Sequence, residues 1–177
     1  MTAIALPDRL EGEGFVLRPL RAADAAAYAA AFRDDPELGR LLGVEEDPGE
    51  DAARERVGRA AALAVADART DAFLGQVLLH SHAPRHRRCE VAYWLVPGAR
   101  GRGVASGAVA LLVSWAFAEL DLLRVEMTAL PRNAGVDGLA RRLGFTREGV
   151  LRARNVERGQ RVDVVFYGVL REEWRGA

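Results

Sequence analysis

The sequence lacks lysine: all 25 of its basic residues are arginine, and they balance 25 acidic residues. The absence of lysine excludes Schiff-base catalysis and the lysine of a P-loop nucleotide site. A single cysteine, Cys89, excludes an intrachain disulfide and a cysteine-cluster metal site, and it leads us to expect a cytoplasmic protein. The net charge of zero gives no support to nucleic-acid binding.

Long hydrophobic runs are also absent. The longest, GVASGAVALLVSWAFA, is interrupted by Gly and Ser and is shorter than the roughly 20 residues of a membrane-spanning helix. The first residues show no basic region followed by an apolar stretch, so we expect no signal peptide. Half of the residues are nevertheless hydrophobic, and 177 residues suit one domain. We therefore expect a single domain over residues 1–177.

Hydrophobic periodicity predicts alternating strands and helices. The predicted strands cover residues 15–20, 62–68, 72–80, 89–96, 122–130, 145–153 and 161–170. The predicted helices cover residues 25–32, 47–59, Gly103 to about Leu120, and about Val136 to Leu143. We expect Asp24 to cap the first helix and Gly144 to end the last. The segment HSHAPRHRR (80–88) is predicted to be a polar loop.

A strand–glycine–helix pattern at RGRGVAS (100–106) predicts an anion-binding loop. Free backbone N–H groups at the start of a helix, together with the helix dipole, favour a phosphate there. Gly101 and Gly103 allow the phosphate to approach the backbone closely, and Arg100 and Arg102 can donate charge-assisted hydrogen bonds. The alternative is a glycine-rich connector with surface arginines.

The pattern Arg-x-x-Gly-x-Gly/Ala, which fits Arg100, Gly103 and Ala105, also occurs at Arg9, Gly12 and Gly14. That copy is acidic, precedes the first predicted strand and opens no helix, so we interpret it as an entry turn. A dinucleotide-binding loop is the other alternative for 100–106, with Glu126 as the ribose ligand. A serine at the third glycine position and too little chain after Glu126 for further strand–helix units argue against it.

The order of these landmarks resembles the GNAT superfamily of N-acetyltransferases, most of all its RimJ/RimL-type branch, which includes ribosomal-protein N-terminal acetyltransferases. The resemblance is carried by VLRPLRAAD, FLGQVLLHS, EVAYWLVPGARGRGVASGAVALLVSWAF, LLRVEMTALPRNAGVDGLARRLGFTREGVLR and VDVVFYGVLREEW. It implies an α/β (α+β) GNAT fold, in which a mixed, mostly antiparallel sheet is splayed between its central strands and flanked by helices. It also implies an acetyl-CoA-dependent N-acetyltransferase.

The resemblance further implies where the coenzyme binds. The pantetheine arm would pair with the backbone of Leu95 and Val96 as if it were an added strand. The pyrophosphate would sit on the glycine loop. The implied contacts there are Arg100, Gly101, Arg102, Gly103, Val104, Ala105 and Ser106, with Asn133 as a further coenzyme contact.

Glu90 is the candidate general base, because it lies at the position where many members of the family carry a catalytic glutamate. A carboxylate there can take the proton of an attacking amine directly or through a water molecule. The alternative is a solvated charge at the end of a strand, paired with Arg87 or Arg88.

Asn133 matches the family asparagine that contacts coenzyme or a bound water, and we take it as the second candidate catalytic residue. Its alternative role is the N-cap of the following helix, and both roles are compatible with the donors and acceptor of its amide. Two departures from the family pattern lie nearby. Val136 and Ala140 occupy the positions of the usual serine and tyrosine proton donors, so the group that protonates the leaving thiolate stays open.

His80, His82 and His86 lie close in sequence, but their loose spacing and arginine neighbours argue against a metal site. The expected partners are acetyl-CoA and a primary-amine acceptor, either a small molecule or a protein N-terminus. We expect no metal, nucleic acid or membrane partner, and both a monomer and a homodimer stay open. The alternative function is a catalytically silent acyl-CoA sensor, which the residues at 136 and 140 would suit.

Overall fold

The computed structural model describes residues 4–41, 62–157 and 159–176, so the helix predicted at 47–59 lies outside the described residues. The strands are β1 (Leu10–Glu11), β2 (Phe15–Pro19), β3 (Ala62–Asp67), β4 (Phe73–Ala83), β5 (Arg88–Leu95), β6 (Arg124–Ala129), β7 (Thr146–Glu157) and β8 (Gln160–Leu170). The helices are α1 (Ala25–Asp34), α2 (Pro36–Leu41), α3 (Val104–Glu119) and α4 (Ala134–Arg142).

The eight strands form a mixed sheet in the order β1-β2-β3-β4-β5-β6-β8-β7. β5 and β6 run parallel, with pairs from Arg88 and Arg124 to Glu90 and Glu126. The registered pairs of β1–β2, β2–β3, β6–β8 and β7–β8 are antiparallel. Together with the flanking helices, this sheet confirms the predicted fold class.

The chain divides into two compact units. The first comprises Met1–Leu78 with Tyr93–Ala108, and the second comprises Leu79–Ala92 with Val109–Ala177. That all 177 residues make one domain stays a prediction.

An aromatic cluster stabilises the helical part of the first unit. Tyr28 and Phe32, one turn apart on α1, pack edge-on against Trp94, with ring centroids 5.2 and 5.5 Å from that of the indole. Phe73 makes a third edge-on contact with Trp94 at 5.6 Å. The buried indole Nε1 donates to Gln76 Oε1 over 3.2 Å, which satisfies both polar groups. The helix thus buries its aromatic face against β4 and the end of β5.

Asp24 occupies the predicted N-cap position of α1, but its side chain makes no capping hydrogen bond to that helix. Its carboxylate binds Arg18 through two hydrogen bonds of 2.8 and 2.9 Å and accepts a third from the Arg21 backbone N–H. Asp71 completes the cluster, because it accepts from Arg18 Nε at 2.7 Å. The hydrogen bond from Asp24, then that from Asp71, outweigh burial and raise the pKa of Arg18. The reason for the difference is that Arg18, only 2% exposed, needs a charged partner more than the helix needs a side-chain cap.

This cluster generates a stability prediction. Asp24→Asn leaves the Arg18 guanidinium buried with weakened compensation, and we expect the free energy of unfolding to fall by about 3 kcal/mol. Asp71→Asn is the matched control, since the Asp71 side chain is 49% exposed and solvent screens its charge, so its loss should lower the free energy of unfolding much less. Urea denaturation of both variants measures the difference. Equal losses would show that Asp24 has no special structural role.

In the second unit, the sheet edge and α4 follow the prediction closely. Gly144, with φ +78°, ends the segment after α4 in the left-handed conformation that glycine tolerates best. The segment predicted as a polar loop at 80–88 is different. β4 continues to Ala83, and only Pro84–His86 form a 3-10 turn. His80 and His82 are therefore strand residues, and only His86 lies in the turn.

Candidate active site

The glycine loop of the first unit has the local geometry of an anion site. After β5, Pro97–Ala99 form a 3-10 turn and α3 begins at Val104. Gly101 and Gly103 have φ of +72° and +82°, which disfavours any residue with a side chain. A Cβ on either glycine would have no atom within 4 Å, so open space faces both. N–H groups in the first turn of a helix have no partner within it, so the loop fits a bound phosphate.

Arg100 anchors this loop to the rest of the first unit. Its Nε donates to the Leu95 carbonyl oxygen at 2.9 Å, and its Nη2 binds the Asp35 carboxylate after α1. Burial alone would raise the pKa of Asp35, but the hydrogen bond and charge of Arg100 outweigh it and lower that pKa. Arg102 makes only a long contact, from Nη1 to the Gly98 oxygen at 3.4 Å. Arg102 is therefore the less engaged of the two predicted phosphate ligands.

The backbone of Leu95 and Val96, which is predicted to pair with the pantetheine arm, already makes hydrogen bonds within the first unit. The Val96 N–H donates to the Leu74 oxygen at 2.9 Å, and the Val96 oxygen accepts from the Ala99 N–H at 3.0 Å. The Leu95 carbonyl oxygen already accepts from Arg100 Nε, so an added strand would use the second lone pair of that oxygen. Both residues stay predicted coenzyme contacts.

A polar row crosses three strands in the second unit. Glu90, on β5, accepts a hydrogen bond at Oε1 from the Thr128 hydroxyl on β6. His80, on β4, places Nε2 3.8 Å from the same oxygen. The Glu90 side chain is only 17% exposed. It is therefore a sheltered carboxylate and not a charge extended into solvent.

The arginines proposed as structural partners of Glu90 bind elsewhere. Arg87 pairs with Asp121, and Arg88 donates to Glu126 at 2.7 Å. Glu126 also accepts from Arg124 Nε at 2.9 Å. Two guanidinium groups thus neutralise Glu126, the Cα partner of Glu90 in the parallel ladder. Glu126 is a structural carboxylate within the sheet, which argues against the ribose-ligand role of the dinucleotide alternative.

Asn133 is the N-cap of α4, which confirms one of the two roles predicted for it. Its Oδ1 accepts from the Val136 N–H at 3.2 Å. The amide nitrogen makes no hydrogen bond within the described residues, and a contact of this nitrogen with coenzyme stays a prediction. On the same helix, Asp137 accepts from the Tyr167 hydroxyl at 3.0 Å. Burial, then Asp137, raise the pKa of Tyr167.

The only cysteine is unsuited to carry an acyl group. Cys89 is fully buried on β5, and burial raises the pKa of its thiol to about 12, with the charges of Glu126 and Glu90 adding to the shift. A thiolate is the nucleophilic form of cysteine, so this thiol is inert near neutral pH. Transfer through an acyl-cysteine is therefore disfavoured.

No cluster of histidine, cysteine and acidic residues suited to a metal is found within residues 4–41, 62–157 and 159–176. In the same ranges, no helix is long and apolar enough to cross a membrane. His82 is notable for another reason, because its Nδ1 is buried and has no hydrogen-bond partner among the described residues.

Comparison with known proteins decides the family. The acetyltransferase (GNAT) domain matches residues 15–146. The chain belongs to the GNAT acetyltransferase family. It is accordingly an N-acetyltransferase, and its relatives do not favour the silent-sensor alternative.

Relatives with whole-length and partial matches agree with this assignment. The chain is 29% identical to "Uncharacterized N-acetyltransferase YoaA" of Bacillus subtilis over 92% of its own length and 96% of that protein. It is 33% identical to "Putative ribosomal N-acetyltransferase YdaF" of the same organism, over 58% of this chain and 56% of YdaF. The crystal structure of a GCN5-related N-acetyltransferase from Brucella melitensis superposes with a TM-score of 0.82 at 25% identity, covering 94% and 80% of the two chains. The ribosomal name of YdaF is consistent with the RimJ/RimL-type branch.

Two variants separate the structural role of Asn133 from a coenzyme contact. Asn133→Ala removes the helix cap and should lower the free energy of unfolding by about 1 kcal/mol. Asn133→Asp keeps the accepting oxygen but loses the amide donor, so stability should be retained. If the amide binds coenzyme, both variants raise the KM for acetyl-CoA. A KM unchanged in Asn133→Asp would reduce this residue to a helix cap.

Proposed function

We propose that this GNAT enzyme transfers an acetyl group from acetyl-CoA to a primary amine by direct attack, with Glu90 as the general base. The observation that supports the proposal is the environment of the Glu90 carboxylate, that is, its exposure and its hydrogen bonds. Its carboxylate is sheltered, and among the described residues the hydrogen bond that it accepts is the one from the Thr128 hydroxyl to Oε1. The neighbouring Glu126 is fully engaged by Arg88 and Arg124. Glu90 is thus the carboxylate of this row that retains an oxygen for a substrate proton.

The residues present fit the coenzyme. The loop amides from Gly101 to Ser106 would hold the pyrophosphate, with Arg102 adding a charge-assisted hydrogen bond. Leu95 would supply backbone groups to the pantetheine arm, and the Asn133 amide nitrogen would supply a further donor. Acetyl-CoA contributes an activated thioester carbon when bound. Arg100 acts indirectly in this scheme, because it holds the loop to Leu95 and Asp35.

Glu90 supports the chemistry by removing a proton from the attacking nitrogen. An amine attacks only when neutral, and α-amines titrate near pH 7.7–8.0 whereas lysine side chains titrate near 10.4. As the N–C bond forms, the amine proton moves to the Glu90 carboxylate, and the C–S bond then breaks. Because Val136 and Ala140 carry no hydroxyl and Tyr167 is only 4% exposed and donates to Asp137, the thiolate takes its proton from solvent in this scheme.

The favoured acceptor is the α-amine of a protein N-terminus. Its low pKa makes a large fraction neutral near pH 7.5, which suits a site with a single carboxylate base. The ribosomal name of YdaF supports the same class of acceptor. Small amines such as polyamines would need stronger assistance in losing a proton.

Coenzyme binding is tested by a charge placed in the glycine loop. Gly103→Glu sets bulk and negative charge against the pyrophosphate, and we expect affinity for acetyl-CoA to fall at least tenfold, about 1.4 kcal/mol. Gly14→Glu is a matched control, because Gly14 has nearly the same backbone, φ +76°, and equally open surroundings. Calorimetry should show the loss for the first variant alone. If both variants fold and bind acetyl-CoA with equal affinity, the coenzyme does not bind at the glycine loop.

The base assignment is tested by Glu90→Gln, which keeps the shape of the side chain and removes its basicity. We expect kcat/KM to fall by about 10²–10⁴-fold near neutral pH. The loss should shrink as pH rises, because more of the acceptor amine is then already neutral. Affinity for acetyl-CoA should change little, since the loop is untouched. Wild-type kcat/KM across the pH range would refute Glu90 as the base.

A further inference from the structure

The two oxygens of Glu90 have different surroundings. Oε1 accepts from the Thr128 hydroxyl and lies 3.8 Å from His80 Nε2. No hydrogen bond is made to Oε2 by any residue in the described part of the chain. The Thr128 hydroxyl on β6 therefore restrains Oε1, whereas the His80 nitrogen on β4 lies beyond hydrogen-bond distance. A carboxyl group otherwise rotates easily about its last torsion.

We propose that Thr128 is a positioning residue for Glu90, which holds Oε1 and so presents Oε2 to the acceptor amine. This inference rests on the proposed role of Glu90 as the base. Thr128 does not touch the reacting atoms in this scheme. It acts by fixing which oxygen receives the proton, and a base must lie within hydrogen-bond reach of that proton to be effective.

The positioning role of Thr128 is tested by two matched substitutions. Thr128→Val replaces the hydroxyl with a methyl group of the same shape, and kcat/KM should fall about two- to tenfold, the worth of one hydrogen bond. Thr128→Ser restores the hydroxyl and should restore activity. Failure of serine to rescue a folded protein would show that packing, not the hydrogen bond, matters at this position.

A double-mutant cycle separates this inference from the proposed function. If Thr128 acts through Glu90, then Thr128→Val should have no further effect on kcat/KM in the Glu90→Gln background. An undiminished effect in that background would overturn the positioning role while leaving Glu90 as the base. A Glu90→Gln enzyme with full activity would instead overturn the proposed function itself.

Discussion

The parallel ladder between β5 and β6 ends at the pair formed by Glu90 and Glu126, and the proposed role of Glu90 depends on the different surroundings of these two carboxylates. Parallel strands put two carboxylates side by side at this position, which would repel each other if both stayed uncompensated. The two carboxylates avoid this repulsion because they have different hydrogen-bond partners. Arg88 and Arg124 neutralise Glu126, whereas Glu90 receives a neutral hydroxyl donor from Thr128. One carboxylate thereby becomes structural and the other keeps its capacity to accept a proton.

The first unit shows a similar division of labour among arginines. With lysine absent, every cationic task falls to guanidinium groups, whose planar geometry suits two partners at once. Arg18 uses this geometry to bind Asp24 and Asp71. Arg100 uses it to join the end of β5 to Asp35. Arginines that a motif suggests as ligands can thus be structural, and Arg100 is the clearest case.

Much of this arrangement could be predicted from the sequence, because it depends on local signals. The strand, glycines and helix around residues 100–106 lie in the expected order, and Gly101 and Gly103 have the left-handed backbone that explains their presence. Asn133 lies before a short amphipathic helix and caps it. The GNAT family assignment rested on the order of such segments along the chain.

The failures involve contacts that depend on register across the sheet. Asp24 has the sequence signature of a helix cap, but its carboxylate binds the buried Arg18 instead. Arg18 also binds Asp71, which is fifty-three residues away in the sequence. The segment after Leu79 has the composition of a loop, yet His80 and His82 belong to β4, and His80 Nε2 lies 3.8 Å from Glu90 Oε1. Thr128 gave no signal at all, because nothing in RVEMTA distinguishes its hydroxyl until β6 is aligned with β5.

The central claim is that this chain moves an acetyl group from acetyl-CoA to a primary amine. The most direct test incubates the enzyme and acetyl-CoA with a short peptide that has a free N-terminus and analyses the products by mass spectrometry. A peptide with a blocked N-terminus and one lysine is the control. The account predicts one acetyl group on the α-amine of the first peptide, formed in step with release of free thiol, and little on the lysine of the second. Release of thiol without any acetylated peptide, or no turnover with either peptide or with small amines, would contradict it.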